Sequence, residues 1–587
     1  MPDPSLADTL RTLLEQGESL SAYRLALAAL DRNPADAACH RLAGACAAEL
    51  GEQAQAERLW RTALALDPDD AATHFNLALL LEHNGQDRQA AAHYAATLAR
   101  QPDDAEAIRR HGLLLARLHE YGPALPLLRR AAARAPLDAE LQLALGDALA
   151  AAAPDDAEAH YLNALALAPQ AVEPVANLAL LLDNLGQTAE AEAHYRQALT
   201  LAPARAELHR NLAGLLARQG RTTEAEAAYA AALRHDPDAP ATHSNLGVLL
   251  ADLGREQEAE AAFRHALTLA PGYARARLNL AFLLLAQGRW HEGWLAHEAR
   301  LDPGLPQPGR LPTDLGCPYW QGEPLGGKTV LLWLEQGYGD QLQFCRYATS
   351  LKESGAARVV LVCQPPLLRL LHTLAAADAV LPLDAAADAS HGCDYWIMSM
   401  SLPRHFGLVD GPWPYLGADA AEQARWAPQL PQGPLRVGLF WRGNPRHHND
   451  TRRSLPGPAV LAPLAVSEQI RFVSLQPGDT EAAAPPQLPL TRLGDALTDF
   501  ADTAAILTQL DLLISVDSAV AHLAGALGVP CWILLPARGT DWRWLRNSRH
   551  SPWYPDNVQL FRQTTPGDWE GLIDHVAVTL AAWARGR

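Results

Sequence analysis

At 587 residues the chain is longer than one hydrophobic core supports, so at least two structural units are expected. With 48 Lys and Arg against 66 Asp and Glu, the formal charge of -18 argues against a nucleic-acid or anionic-membrane partner, since both reward a basic surface. The cysteines (Cys39, Cys46, Cys317, Cys345, Cys363, Cys393, Cys531) are odd in number and contain no CxxC pair, which excludes a complete disulfide framework and a zinc ribbon.

The segment Met1 to Leu20 carries Asp3, Asp8 and Glu15 and lacks the basic-then-apolar pattern of a signal peptide, so a cytoplasmic location is expected. Prolines then recur at Pro34, Pro68, Pro102, Pro136, Pro169, Pro203, Pro237 and Pro271, a period of 34 with one deletion before Pro169. Small and aromatic residues keep phase with them: Ala56, Trp60, Ala63; Ala191, Tyr195, Ala198; Ala225, Tyr229, Ala232; Ala259, Phe263, Ala266. Two helices approach closely where a small residue sits, an aromatic ring fills the wider gap, and proline stops the second helix. Gly51, Gly85, Gly186, Gly220, Gly254 and Gly288 fall where the chain turns between helices of a pair. This pattern resembles the tetratricopeptide (TPR) repeat and implies an α-solenoid of about nine units over 1–303, winding into a superhelix with a concave binding groove. The ninth unit departs from pattern at Trp290 and Trp294 and is expected to cap the array against the next domain.

Asn76, Asn177, Asn211, Asn245 and Asn279 each precede a leucine at the same phase of the first helix, with Arg110 and Ala144 interrupting the series. A primary amide both donates and accepts, so a row of them suits the backbone of an extended polypeptide; the same amides also suit bonds to neighbouring helix ends. The series resembles the asparagine ladder of the O-GlcNAc transferase superhelix, which implies a polypeptide acceptor in the groove.

After a proline-rich connector (304–328) the texture changes to short apolar runs alternating with helical periods, the signature of parallel sheets. Strands are expected at Thr329–Glu335, Arg358–Cys363, Tyr395–Met400, Arg436–Trp441, Arg471–Leu475, Asp511–Val516 and Cys531–Leu535. They suggest two Rossmann-like lobes, 329–410 and 435–587, joined by a linker at 411–434, with ligands at the carboxyl ends of strands. The apolar run Ala519 to Pro536 is divided by Gly525, Gly528 and Pro530 into a helix and a strand, so no membrane insertion is expected.

The strand-end loops carry the chemistry. Glu335-Gln336-Gly337-Tyr338-Gly339-Asp340 places Asp340 at a helix start, where a carboxylate suits either a general base or a helix cap. Trp441-Arg442-Gly443-Asn444 and the following Arg453-Ser454 form a donor-rich loop suited to a diphosphate leaving group. His447 and His448 lack a companion ligand, the second half contains no DxD, and no metal is expected. At Asp517-Ser518-Ala519 a strand gives way to a helix whose amides favour phosphate, with His522 one turn further on. The clusters Asp541-Trp542-Arg543-Trp544 and Ser551-Pro552-Trp553-Tyr554-Pro555 are read as lining the cleft or packing its rim.

Together Glu335 to Asp340, Arg436 to Ser454 and Asp511 to Pro536 resemble the heptosyltransferase-like (family 9) glycosyltransferases, in a variant with N-terminal TPRs. The resemblance implies a GT-B fold and an inverting, metal-independent transfer from a nucleotide-sugar. Asp340 would then be the catalytic base, with Gln336, Gly337 and Gly339 in the acceptor loop. Trp441, Gly443, Asn444, Arg453, Ser454, Asp517, Ser518, Ala519 and His522 would bind the donor. Two departures stand out: Ser518 and Ala519 replace the usual threonine and glycine, and Arg453 stands in for the phosphate-loop lysine. Two other readings fit the sequence: transfer to a lipid-linked or lipopolysaccharide glycan, and a non-catalytic TPR scaffold.

Overall fold

The computed structural model describes residues 4–305, 312, 315–409, 413–445, 447, 449–478, 485 and 487–587. Asp3, His448 and parts of the connector (306–311, 313, 314) and of the linker (410–412) lie outside the described residues. The chain forms two compact units, Met1–Pro237 and Asp238–Arg587.

The first unit is built of consecutive helix pairs, such as Ala37–Glu49 with Gln53–Leu66 and Ala71–His83 with Asp87–Arg100. Each repeat proline is followed three residues later by the start of the next helix, and in four repeats the residue between, two after the proline, is an aspartate that caps it. Asp36, Asp70, Asp104 and Asp138 accept from the backbone N–H groups of Cys39, Ala72, Ala107 and, for Asp138, both Glu140 and Leu141. Side chains six residues after the proline close the same turn: His40, His74, Gln142 and His209 lie 2.9, 3.0, 3.1 and 2.8 Å from the carbonyls of Pro34, Pro68, Pro136 and Pro203. A carbonyl only accepts, so each ring or amide nitrogen there is a donor. The expected small-on-aromatic packing is tight: a Cβ on Gly146 would stand 2.5 Å from the Tyr161 ring. Where the turn glycine is missing, His119 takes the left-handed conformation itself, at φ 60°.

The second unit opens with two more helix pairs, Pro240–Asp252 with Glu256–Leu269 and Ala274–Ala286 with Trp290–His297. It continues into two wholly parallel sheets. The first contains β1 (Thr329–Trp333), β2 (Arg358–Cys363), β3 (Ala379–Pro382) and β4 (Tyr395–Met398) in the order β3-β2-β1-β4. The second contains β5 (Leu435–Phe440), β6 (Ile470–Ser474), β7 (Leu490–Arg492), β8 (Leu512–Val516), β9 (Cys531–Leu535) and β10 (Val558–Arg562) in the order β10-β9-β8-β5-β6-β7. Helices separate most of the consecutive strands, and β8 and β9 are buried along their whole length, as parallel strands covered on both faces must be. Strand order reverses between β1 and β4 and again between β5 and β8. The sequence reading overlooked β3, β7 and β10.

The repeat pattern ends near residue 303, yet by packing the unit boundary falls at Pro237. The reason is a set of contacts that binds the last two helix pairs to the sheets. Trp294 is buried with its ring 5.2 Å from Trp542 and 5.8 Å from Phe344, and Trp290 lies 5.7 Å from Trp553. Arg300 donates to both oxygens of Glu335 at 3.0 and 2.8 Å, and both side chains are almost fully buried. Arg546 donates to the Ala251 carbonyl at 2.8 Å and pairs with Glu256 at 3.1 Å.

Candidate functional site

The loops singled out in the sequence follow β1, β5 and β8, the strands flanking the two reversals of strand order, where open parallel sheets place ligands. After β1 the chain passes through Gln336 at φ 64°, a left-handed conformation costly for a residue with a Cβ. The Gln336 carbonyl is held by side-chain amides of Gln341 at 3.2 Å and Gln364 at 2.9 Å. The helix Tyr338–Phe344 begins after Gly337, whose N–H donates to Asp340 Oδ2 at 2.9 Å. Asp340 therefore caps its own helix, and its Oδ1 accepts a second bond from Arg543. Burial raises the proton affinity of Asp340 above that of an ordinary carboxyl, with Asp541 and Glu335 adding to the effect; Arg543 and the Gly337 amide oppose it.

Gly339 brings this helix against the one following β8. An added Cβ would lie 2.9 Å from the His522 ring and 3.6 Å from Ala519 Cα. His522 is buried, stacked on Trp544 at 5.0 Å and bonded through Nδ1 to Tyr554 Oη at 3.0 Å. Burial, reinforced by Arg543, Arg346 and Arg453, holds its basicity well below the usual histidine range, so the ring is neutral. Ser518 caps the helix Ala519–Ala526, accepting from Ala521 N–H at 3.3 Å and sharing a 3.0 Å bond with Ser515. Asp517, at the tip of β8, is pushed up to about 6 by burial and by Asp541, with Arg453 acting against the shift.

The loop after β5 departs from expectation in two places. Trp441 is a core residue: its side chain is 1% exposed and packs beneath the sheet with Leu455 and Phe472, leaving only its backbone near the loop. Ser454 is likewise occupied, accepting from Gly443 N–H at 2.9 Å and donating to Asp450 at 2.7 Å. Both therefore shape the loop from behind. Arg453 remains available: its side chain is 17% exposed, sits 3.8 Å from Asp450, and its Nε–H finds no acceptor among the described residues. A Cβ on Gly443 would meet the Arg453 guanidinium at 3.1 Å, so that glycine makes room for it. Asn444 lies in this loop, and His447 Nδ1 accepts from Asn449 N–H at 3.2 Å.

Arg543, which the sequence reading placed in a cluster lining the cleft or packing its rim, is bonded directly to Asp340. It follows β9, is buried, and bonds to Asp340, to Gln343 at 2.6 Å and to both oxygens of Asp541 at 2.9 and 3.1 Å. Trp542, Trp544, Trp553 and Tyr554 are all buried, so of the two roles open to these aromatics the structure assigns packing. Arg346 shows how that packing holds charge: its guanidinium lies 4.5, 4.7 and 4.9 Å from the rings of Trp413, Tyr415 and Tyr554. The signal for Arg543 in the sequence was an arginine between two tryptophans beside an acid, a poor setting for a solvated side chain.

The asparagines of the repeats are half-buried at all five positions. Asn177 donates to Asp147 at 2.8 Å and Asn279 to Ser244 at 3.3 Å, each in the preceding repeat. At these two positions the amide ties neighbouring repeats together, and Asn211 accepts from Arg210 at 3.4 Å.

Residues 176–240 and 218–274, and separately residues 59–92, match tetratricopeptide repeat family models. The first part of the chain is a TPR solenoid. Protein FlbA of Caulobacter vibrioides is 28% identical over 321 residues, 50% of this chain and 52% of that protein, so the chain spans about half the length of this curated relative. Among solved structures, YrrB, described as a TPR protein with an unusual peptide-binding site, is 19% identical over 30% of this chain and 92% of its own, with a TM-score of 0.28. MamA from Desulfovibrio magneticus RS-1 is 20% identical over 29% of this chain and 96% of its own, with a TM-score of 0.26. Among the described residues no helix is long and apolar enough to cross a membrane.

Proposed function

We propose that the chain is a glycosyltransferase of the GT-B, family 9 kind, moving a sugar from a nucleotide-sugar to a hydroxyl of a polypeptide acceptor. The observation that carries the reading is the convergence of Asp340, Asp517, His522 and Arg453 at the carboxyl ends of β1, β5 and β8, on two parallel sheets. In this scheme Asp340 takes the proton of the acceptor hydroxyl as that oxygen attacks the anomeric carbon. The bond to the diphosphate breaks with its electron pair, and Arg453 with the amides at the start of the Ala519–Ala526 helix stabilises the leaving charge. One displacement inverts the anomeric centre, leaving a glycosylated acceptor and a nucleoside diphosphate.

The TPR solenoid is the architecture of a protein-binding scaffold, which supports a polypeptide as acceptor over a lipid-linked or lipopolysaccharide glycan. Of the asparagine series, Asn76 and Asn245 suit a peptide backbone better than Asn177 and Asn279, whose amides already hold the preceding repeat. The test is a screen of nucleotide-sugars for thermal stabilisation of the full chain, followed by turnover with the donor found. A pure scaffold would give neither stabilisation nor turnover.

A further inference from the structure

The contact between Asp340 and Arg543 joins residues 203 positions apart, one from the loop after β1 and one from the loop after β9. Arg543 is fixed on every side. Its Nε–H is held by Gln343, its Nη1 group by the two oxygens of Asp541, and its plane lies 4.2 Å from the Trp542 ring. The backbone just after it is fixed too: Leu545 is left-handed at φ 49°, and Arg562 donates to the Trp544 carbonyl at 2.5 Å and to that of Leu545. A guanidinium held this way is a preorganised fork, and it presents two donors to the helix Tyr338–Phe344 that follows β1, Nε–H to Gln343 and Nη2–H to Asp340.

We infer that Arg543 is the positioning residue of the transfer proposed above, a cation on one sheet that keeps the carboxylate base on the other sheet charged and fixed in one orientation. The inference rests on that functional reading. The geometry leaves the base able to work: Oδ2 bonds to the Gly337 amide and Oδ1 to Arg543, and each oxygen retains a lone pair for the acceptor proton. The charged groups around Asp340 make the cation necessary. Asp541 and Glu335 face it with negative charge, Glu335 being already committed to Arg300, and Asp517 lies close enough to Arg543 to share its field. His522, packed against the neighbouring Gly339, is neutral and supplies no charge. Removing the guanidinium leaves a partly buried carboxylate among acids and raises its proton affinity further, so it loses its basicity at a higher pH than in the wild type.

The test is the pH profile of kcat/KM for the full-length protein and for Arg543→Gln and Arg543→Lys, using the nucleotide-sugar that the wild type turns over. The acid limb of Arg543→Gln is expected to move up by about one pH unit or more, the size of effect an adjacent cation has on a carboxylate. Arg543→Lys, which restores the charge but not the fork, is expected to return the limb to its original place with a lower plateau. If Arg543→Gln loses rate equally at every pH with the limb unmoved, the residue is structural and the inference fails while the transferase reading stands. Should Arg543→Gln not fold, Arg543→Met, neutral and of similar length, takes its place in the same measurement: an acid limb moved up supports the inference, and an unmoved limb overturns it. A wild-type protein without turnover on any nucleotide-sugar removes the functional reading, and the inference falls with it.

Discussion

Replacing Gly339 by alanine probes the packing on which the whole site depends. The new methyl carbon would stand 2.9 Å from Cδ2 of His522, inside the closest approach of carbon atoms, and 3.6 Å from Ala519 Cα. His522 has nowhere to retreat, because Trp544 stacks on one face and Tyr554 holds Nδ1. Overpacking of this kind costs about 1–3 kcal/mol, while alanine gains about 0.5–1 kcal/mol over glycine inside a helix. With a ring on one side and backbone on the other, the first effect wins, and a net loss of about 1–2 kcal/mol is expected. Urea unfolding followed by tryptophan fluorescence reads this directly, since Trp294, Trp542, Trp544 and Trp553 are buried in the same unit. In a double-mutant cycle with His522→Ala the two changes should be strongly non-additive, the smaller side chain relieving the clash. A Gly339→Ala protein as stable as the wild type, or more so, would refute the close approach of the two helices.

Glu335→Gln breaks a buried pair whose partner Arg300 also joins the last helix pair to the sheets, and a loss of about 3 kcal/mol is expected in the same denaturation assay. Asp517 should reveal itself by pH. Its proton affinity is higher folded than unfolded, so ionising it opposes folding fully above about pH 6, and the opposition vanishes once both states are protonated, below about pH 4. Asp517→Asn is therefore expected to raise the melting temperature at pH 7–8 and to lose that advantage progressively between pH 6 and pH 4.

The repeats were readable because their physics is local. A proline ends a helix, a capping residue two positions later starts the next, and the period writes both into every unit. The junction was readable through Trp290 and Trp294, since two tryptophans break the small-residue phase of a repeat that only has to stack on its neighbour. Strands β1, β2, β8 and β9 are apolar runs of five or six residues and stood out, whereas β7 has three residues, β3 four, and β10 alternates in polarity. Trp441 misled because an aromatic at a strand end suits a cleft and a core equally, and only the side of the sheet it points to decides. Arg543 and Asp340 illustrate the opposite limit: each lies in a motif that the sequence reading quoted, but their pairing spans 203 positions and leaves no local trace.

The account turns on Asp340 as the base of a sugar transfer, and one comparison addresses it: wild type against Asp340→Asn, with release of nucleoside diphosphate and binding of the nucleotide-sugar measured on the same preparations. Turnover by the wild type, with turnover abolished and donor affinity retained in Asp340→Asn, is the expected result. Equal turnover by both proteins, or none by either across the nucleotide-sugars, would contradict it.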